Sequence, residues 1–214
     1  MELTVIGDVH GMFHLLDGIL NTTKSDLYLQ VGDFGASMGI PKLDYPAFKK
    51  KIIFISGNHE SLEYLEKFNR DFSQDIYRLN ENLYYLPTGR YAIINGLKIG
   101  ALGGNYAKTR YDKSRVELSQ GRLRHYTRED VDRLIKSTDT LDILLTHEAS
   151  SPYIIRNRDV GRPEINRIIN KLQPKYHFYG HHHRENKKLI GKTLSQCVPI
   201  INGFNPYITI KIWN

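Results

Sequence analysis

The sequence has little cysteine, no long apolar runs and fewer acidic than basic residues, and each of these features limits the classes of protein to which it can belong. Its one cysteine, Cys197, cannot form an internal disulfide, which excludes a disulfide-stabilised scaffold and paired-thiol chemistry. No window approaches the roughly 18 consecutive apolar residues of a membrane span. Met1 leads directly into a strand-like run without a basic, apolar leader. We therefore expect a cytoplasmic protein with no membrane partner, in which Cys197 is a packing residue.

Acidic residues number 23 against 30 lysines and arginines, which gives a net charge of +7 and an isoelectric point near 9.3. The excess is concentrated between Tyr106 and Tyr126, hereafter the basic stripe. Its charged residues are Lys108, Arg110, Asp112, Lys113, Arg115, Glu117, Arg122 and Arg124. Cations interleaved with Tyr106, Tyr111 and Tyr126 can hold phosphates and stack bases, although a solvated, mobile surface loop has the same composition.

The chain of 214 residues is long enough for one sizeable core, and its 40% of hydrophobic residues is ordinary for a globular protein. We predict a single domain over residues 1–214. Strand-like runs alternate with helical spacing over most of the chain, which is typical of an α/β sheet. In such sheets ligands collect at the carboxyl ends of the strands, where the loops open into a crevice.

Five predicted strands end in residues that bind metals. They are Leu3–Ile6, followed by Asp8 and His10; Leu27–Val31, followed by Asp33; Ile52–Ile55, followed by Asn58 and His59; Leu141–Leu145, followed by His147; and Tyr176–Tyr179, followed by His181, His182 and His183. A single residue of this kind has an ordinary explanation, because a lone histidine is usually structural. The same explanation does not account for metal-binding residues at five strand ends in register. Imidazole, carboxylate and amide oxygen without thiolate suit Mn, Fe, Zn, Co or Ni, and the count suffices for two ions bridged by a carboxylate.

The rest of the pattern predicts how the sheets are completed. Asn95-Gly96, between Tyr91–Ile94 and Leu97–Gly100, predicts an antiparallel hairpin with a type I′ turn. Leu83–Pro87 is predicted as an edge strand, because proline gives up a ladder hydrogen bond. Leu189–Ile212 is predicted as antiparallel strands that complete a second sheet. Helices are predicted over Met12–Leu20, around Leu62, Leu65 and Phe68, after Thr127 and from Pro163. Residues 37–51 are predicted as a connecting loop with room for a short helix.

The motifs at the strand ends together resemble the signature of the calcineurin-like binuclear metallophosphoesterases. They are Asp8-Val9-His10-Gly11, Gly32-Asp33-Phe34-Gly35, Gly57-Asn58-His59-Glu60, Thr146-His147 and Gly180-His181-His182-His183. The resemblance spans almost the whole chain and implies an α/β fold, a four-layer α-β-β-α sandwich with two facing mixed sheets. It also implies two divalent transition-metal ions, with manganese expected first and iron, zinc, nickel or cobalt as alternatives.

Carried over residue by residue, the resemblance assigns roles. It implies that Asp8, His10 and His183 hold one metal and that Asn58, His147 and His181 hold the other. Asp33 would bridge the two ions. His59 matches the family's histidine that assists the leaving group or the transition state, so His59 and Asp33 are the expected catalytic residues.

Four neighbouring residues are not expected to bind metal. Glu60 and Glu148 are predicted to accept hydrogen bonds that orient imidazoles. His182, between two proposed ligands, is expected to point away from them, and His177 is expected to be a core or sheet-face residue.

Several stretches resemble, more narrowly, the RNA lariat debranching branch of this family and its prokaryotic relatives. They are Gly57–Ser61 with Leu65, Asn82–Leu86, Leu97–Tyr106, Asp142–His147 and Leu172–Tyr176. The debranching enzymes differ in two respects, since they carry cysteine where this chain has Asp8 and they are longer at the carboxyl end. These differences argue against lariat debranching itself.

The pattern as a whole predicts a phosphodiesterase that hydrolyses a nucleotide or nucleic-acid ester with water activated by two metals. The expected substrate contacts are Asn105, Tyr106, Arg110, Arg122 and Arg124. A phosphomonoesterase using the same metal site is the alternative. Two further hypotheses are a non-catalytic scaffold, as in a retromer subunit of this family that has lost ligands, and an RNA-binding module in which catalysis is secondary. The sequence leaves the oligomeric state open.

Overall fold

The computed structural model describes residues 1–35, 45–65, 69–71 and 75–212, which contain fifteen strands and five α-helices. The strands are β1 (Glu2–Ile6), β2 (Leu27–Gln30), β3 (Ile52–Phe54), β4 (Asn69–Asp71), β5 (Ile76–Arg78), β6 (Leu83–Tyr85), β7 (Arg90–Ile94), β8 (Leu97–Leu102), β9 (Ile143–Thr146), β10 (Ile154–Ile155), β11 (Arg158–Asp159), β12 (Tyr176–Tyr179), β13 (Lys187–Ile190), β14 (Thr193–Cys197) and β15 (Tyr207–Lys211). The helices are α1 (Phe13–Thr22), α2 (Leu62–Leu65), α3 (Lys108–Tyr111), α4 (Arg128–Ser137) and α5 (Pro163–Leu172). Single 3₁₀ turns cover Arg115–Glu117 and Gln120–Arg124.

Two mixed sheets contain all but two of these strands. The first has the order β15-β1-β2-β3-β6-β5-β4 and the second the order β13-β14-β12-β9-β8-β7. In the first sheet β1, β2, β3 and β6 run parallel, and in the second β14, β12, β9 and β8 do. The strands next to these are antiparallel to them, namely β15 and β5 in the first sheet and β13 and β7 in the second. At the edge of the first sheet β4 is antiparallel to β5, and β10 and β11 form a separate hairpin.

The apolar side chains separate into layers that follow from this topology. Leu29 of the first sheet and Ile99 and Phe178 of the second share one buried cluster, so the two sheets face each other. The other face of the first sheet packs on α1, and the other face of the second packs on α4 and α5. β2, β3 and β9 are buried along their whole length, as expected of parallel strands covered on both faces, and their side chains are apolar except for Gln30 and Thr146. The predicted four-layer α-β-β-α sandwich is confirmed.

Local signals placed several elements correctly. Asn95 and Gly96 have φ of 51° and 81°, as a type I′ turn requires, and join β7 to β8 antiparallel. Thr127 and Asp130 form the capping box that begins α4. Among the described residues, no helix combines the length and apolar character needed to cross a membrane.

Two predictions about the sheets are wrong. β6 lies inside the first sheet, between β3 and β5, because Pro87 falls two residues beyond the strand and costs it no ladder hydrogen bond. The carboxyl-terminal strands do not form one antiparallel unit, since β14 pairs parallel with β12 and β15 pairs with β1 of the first sheet. Phe68 and residues 37–44 of the predicted loop lie outside the described residues.

Candidate metal centre

Loops from both sheets interlock where the parallel strands end. The Nδ1–H of His147, after β9, donates to the carbonyl of Val31, after β2, at 2.9 Å. The backbone N–H of His181, after β12, donates to the carboxylate of Asp8, after β1, at 3.1 to 3.2 Å. These bonds cross from one sheet to the other, so the five predicted strand ends meet at one edge of the sandwich.

Asp8, His10 and His183 form one group of potential metal donors, with one donor atom of each within 4.8 Å of the others. His183 Nε2 is 2.8 Å and His10 Nε2 is 3.9 Å from Asp8 Oδ2. Asp8 is fully buried, whereas His183 is more than one-third exposed. The group therefore lies at the mouth of a crevice with its carboxylate at the base.

A second group consists of Asp33, His147 and His181, again within 4.8 Å of one another. Asn58 joins it, because its Oδ1 is 3.0 Å from His147 Nε2. His147 is fully buried, and its ring lies 4.9 Å from that of His181. This group contains the nitrogen and oxygen donors that intermediate divalent metals accept.

Asp33 lies between the two groups. Its Oδ2 is 3.3 Å from His147 Nε2 and 3.7 Å from His10 Nε2, while its Oδ1 accepts the backbone N–H of His59 at 2.9 Å. One carboxylate oxygen thus faces an imidazole of each group.

The electrostatics of the crevice favour a cation. Burial alone would raise the pKa of Asp33, but the charge and hydrogen bond of His147 outweigh it and hold that pKa well below its ordinary value. Burial would lower the pKa of His147, yet Asp33 raises it well above that of a free imidazole. Burial lowers the pKa of His181 to about 3, which keeps its ring neutral and able to coordinate. Because these donors hold a proton between them, they fit a divalent ion that would displace it.

Backbone strain is concentrated at the same loops. His10, Asp33, His181 and His183 have φ between 47° and 63°, a region that residues other than glycine seldom occupy. Such strain persists only where surrounding contacts impose it, and it is found preferentially at functional sites.

Two glycines are required by space. A Cβ atom at Gly57 would overlap the carboxylate of Asp33, and one at Gly180 would overlap that of Asp8. The glycines before Asn58 and His181 therefore let the carboxylates approach the neighbouring loops.

The two glutamates of this region do not orient imidazoles, contrary to the prediction. Glu60 accepts the backbone N–H groups of Asp33 and Gly35, each at 3.1 Å, and that of Gly57. Glu148 accepts the N–H of Tyr106 at 2.6 Å and binds the Arg162 guanidinium at 2.7 and 2.9 Å. Both carboxylates are occupied by other donors, which are backbone N–H groups for Glu60 and a backbone N–H with a guanidinium for Glu148.

Three histidines lie beside the donor groups. His59 is about one-third exposed, with Nε2 4.0 Å from Asp33 Oδ2, and its Nδ1 has no hydrogen-bond partner among the described residues. His182 stacks on Tyr153 with ring centroids 4.4 Å apart, so it points away from the donors as expected. His177 is a core residue, also as expected, and bonds the hydroxyls of Thr146 and Ser195.

The basic stripe borders a groove of about 580 Å³ whose lining includes Arg110, Arg122 and Arg124. Asn105 and Tyr106 do not line the groove but lie next to it: the Asn105 carbonyl is 3.3 Å from His125 Nδ1, and the N–H of Tyr106 donates to Glu148, the residue after His147. Tyr111 and Tyr126 cannot stack bases, because both are buried in the core with α4 and α5. The base-stacking expectation is therefore wrong for these two residues.

Sequence reasoning missed Arg162 and Tyr153. The Arg162 guanidinium lies 5.2 Å from the Tyr106 ring centroid and neutralises Glu148, and Tyr153 carries the stack with His182. The residues around them gave no motif, and only folding brings them to the centre.

Comparisons with known proteins agree with this geometry. The chain matches the calcineurin-like phosphoesterase family over residues 1–185. It is 26% identical to the lariat debranching enzyme of Schizosaccharomyces pombe, with 86% of this chain and 48% of that protein covered, and 28% identical to that of Entamoeba histolytica, with 81% and 55% covered. The chain thus spans about half the length of these curated relatives.

The same fold is found in a solved structure whose sequence has low identity to this chain. TT1561 of Thermus thermophilus superimposes with a TM-score of 0.63 at 13% identity, over 94% of this chain and 89% of that one. The family match covers most of the chain, and the residues of the two donor groups described above all lie within the matched range. This protein belongs to the calcineurin-like phosphoesterase family, binuclear divalent-metal hydrolases that act on phosphoester bonds.

Proposed function

We propose that this protein is a phosphodiesterase that hydrolyses a nucleotide or nucleic-acid ester at the crevice between the sheets. The observation that carries the proposal is the pair of donor groups on either side of Asp33. Asp8, His10 and His183 would hold one ion, Asn58, His147 and His181 would hold the other, and Asp33 would bridge them. Two divalent ions, manganese first among the candidates, would activate water and neutralise the phosphate for in-line displacement at phosphorus.

The other parts of the reaction belong to the chain's own side chains. His59 lies beside Asp33 without entering either donor group, and about one-third of its side chain is exposed. We propose that it donates a proton to the leaving oxygen or stabilises charge there. Its ring packs edge-on against His10, with centroids 5.3 Å apart, which limits its orientation.

Two observations support a nucleic-acid diester as the substrate class. The groove lined by Arg110, Arg122 and Arg124 adjoins the crevice through Asn105 and Tyr106, and cations in a groove favour a substrate with more than one phosphate. The curated relatives are named lariat debranching enzymes. We do not extend the proposal to lariats, because the chain spans about half of those proteins. A cytoplasmic location accords with the single, buried thiol of Cys197.

A screen of metals against substrates tests the function. The metal-free protein, reconstituted with Mn, Fe, Zn, Co or Ni, is offered bis-p-nitrophenyl phosphate, p-nitrophenyl phosphate, and linear and branched oligonucleotides. We expect metal-dependent turnover that favours the diesters. Preference for the monoester would indicate a phosphomonoesterase. RNA binding that falls steeply with salt, with no turnover, would indicate a binding module, and inertness with every metal would indicate a scaffold.

Metal content provides a first specific prediction. Asp33→Asn is expected to lose more metal than His10→Ala or His181→Ala, because a bridging carboxylate serves two ions and each imidazole serves one. Elemental analysis of the purified variants measures this. A full metal complement in Asp33→Asn would show that Asp33 does not bridge.

A further inference from the structure

We propose that a second cationic surface binds the backbone of a polynucleotide on the side of the metal centre opposite the basic stripe, so that the substrate runs across the centre and is cut internally. The inference rests on the proposed function. The surface, hereafter the hairpin patch, consists of Arg156 and Arg158 on the β10–β11 hairpin and Arg184, which follows His183.

The three arginines of the hairpin patch are available to a ligand. All three are exposed, and none forms an ion pair with a residue that the structure describes. Two other exposed arginines do form ion pairs, Arg128 with Asp112 at 2.5 Å and Arg167 with Asp132 at 2.7 Å. Unpaired cations concentrated beside a crevice raise the local concentration of polyanions.

Acidic groups near the patch are engaged elsewhere. Asp159 accepts the Ser151 hydroxyl at 2.5 Å and the backbone N–H groups of Tyr153 and Gly161 at 2.8 and 2.9 Å. Glu185 accepts the side-chain amide of Asn205. Neither carboxylate forms an ion pair with an arginine of the patch, so the three guanidinium groups have no counter-ion in contact among the described residues.

The hairpin is fixed to the loop that carries His181 and His183. Tyr153, at its base, stacks on His182 with ring centroids 4.4 Å apart and an interplanar angle of 24°. The ammonium of Lys188 donates to the carbonyls of Ser150 and Pro152 at 3.0 and 2.7 Å, which joins β13 to the same base. A phosphate held by this surface would therefore have a defined position relative to the metal centre.

The order of strands places the patch and the basic stripe on opposite flanks. The stripe follows β8, whereas the base of the hairpin packs on Tyr179 of β12 and Cys197 of β14. Donors His147 and His181 follow β9 and β12, which lie between β8 and β14 in the second sheet. A diester bound at the centre would therefore meet cations on both sides, which suits a chain that carries further phosphates on either side of the cleaved bond. This favours a polynucleotide over an acidic peptide or a lipid surface.

The test compares two variants that lose the same charge. Arg156→Gln/Arg158→Gln removes two arginines of the patch. Lys171→Gln/Lys192→Gln is the control, because both lysines are exposed, one in the last turn of α5 and one before β14, at the opposite end of the parallel strands. The probes are fluorescein-labelled phosphorothioate oligonucleotides of two and eight residues, bound to the metal-loaded protein and followed by anisotropy at increasing salt.

We expect Arg156→Gln/Arg158→Gln to weaken binding of the eight-residue probe about ten-fold and to reduce the slope of log K against log salt by about 1.4, since each single-strand phosphate contact contributes about 0.7. The two-residue probe should lose much less, and the control should bind both probes as the wild type does. Unchanged affinity and slope in the patch variant, or an equal loss in the control, would overturn the inference. So would a loss seen with anionic lipid vesicles and not with the eight-residue probe.

Turnover of bis-p-nitrophenyl phosphate by the wild type separates this inference from the proposed function. If that turnover is metal-dependent while the patch variant binds normally, the inference fails and the function stands. If the wild type shows no turnover with any metal while binding still depends on the patch, the function fails and the surface stands.

Discussion

At the scale of single residues, Glu60 links through their backbone two of the loops that carry the proposed metal donors. Its carboxylate accepts the N–H groups of Asp33, Gly35 and Gly57, while the carboxylate of Asp33 accepts the N–H of His59. Each carboxylate therefore accepts backbone N–H groups from the loop of the other, and these bonds keep Asp33 at its φ of 53°. Burial, followed by the charge of Asp33, raises the pKa of Glu60 to about 7.

Glu60→Gln should weaken metal binding about 10- to 100-fold, because an amide replaces one of the two acceptor oxygens and no longer fixes Asp33. Metal titration well below the melting temperature measures this. Asp130→Asn is the control, since Asp130 is an equally buried acid that accepts backbone N–H at the start of α4. It should lose stability and keep its metal affinity. Equal metal affinity in both variants would make Glu60 a structural residue only.

Substrates with different leaving groups distinguish the two proposed roles of His59, proton donation and charge stabilisation. His59→Gln should keep the fold and both metals, because His59 belongs to neither donor group. If His59 donates a proton, esters with alkoxide leaving groups should slow by roughly 10² to 10⁴, and those with p-nitrophenolate much less. Rate measurements on both esters decide this. Equal losses would indicate charge stabilisation, and loss of metal would place His59 among the ligands.

At the scale of elements, the basic stripe is built on a folded frame and is not the mobile loop that its composition allows. It contains α3 and two 3₁₀ turns, and its core side is held by Tyr111 and Tyr126. The N–H of Gln120 donates to Glu63 at 2.8 Å, and the N–H of Arg115 donates to Glu129 at 2.8 Å. The arginines of its groove are therefore presented from a fixed backbone.

Neutralising the groove by Arg110→Gln/Arg122→Gln/Arg124→Gln should raise KM for oligonucleotides about ten-fold and flatten its salt dependence by about 2 in slope. Because a small diester spans little of the groove, the ratio of kcat/KM between oligonucleotide and small diester should fall. Steady-state kinetics at several salt concentrations measure both. Lys24→Gln/Lys171→Gln/Lys192→Gln, with exposed lysines and the same change in charge, is the control. An identical response from the two triple variants would mean that the net charge of the protein, and not the groove, determines KM for oligonucleotides.

At the scale of the whole molecule, the buried His177 makes the free energy of unfolding depend on pH. Thr146 donates its hydroxyl to the Glu148 carbonyl, so it accepts from His177 Nε2–H at 2.8 Å, and His177 Nδ1 accepts from Ser195 at 2.8 Å. The ring is therefore neutral. Burial, and then the charge of Lys188, lowers its pKa to about 3.

This pKa predicts the direction of a pH effect. Between the unfolded pKa of 6.5 and the folded value of about 3, the unfolded chain binds a proton that the folded protein does not. Stability from this residue is therefore complete above pH 6.5 and falls by about 1.4 kcal/mol per pH unit below it. His177→Gln should destabilise the metal-free protein at pH 7.5, and the difference from wild type should shrink by about 2 kcal/mol at pH 5. Urea unfolding at both pH values measures it. A constant difference would show that folding does not lower the pKa of His177, and a difference that grows at pH 5 would show that His177 is protonated in the fold.

The sequence predicted those features of the fold and the site whose pattern lies within a short stretch of neighbouring residues. Asp8, Asp33 and His147 were found because an apolar run followed at once by a metal-binding residue is a local pattern, and parallel strands bring such ends to one edge. The hairpin at Asn95 was found for the same reason, since its turn requires specific φ values. Pairing between distant strands has no such signature, so the interior place of β6 and the return of β15 to the first sheet were decided only by tertiary structure.

The same division holds in the site. The sequence determined which atoms can bind metal, because donor chemistry belongs to the side chain itself. It did not determine where Glu60 and Glu148 direct their carboxylates, nor that Tyr111 and Tyr126 face the core. Those outcomes depend on which backbone donors and which helices come within reach after folding, and only the packing of the two sheets decides that.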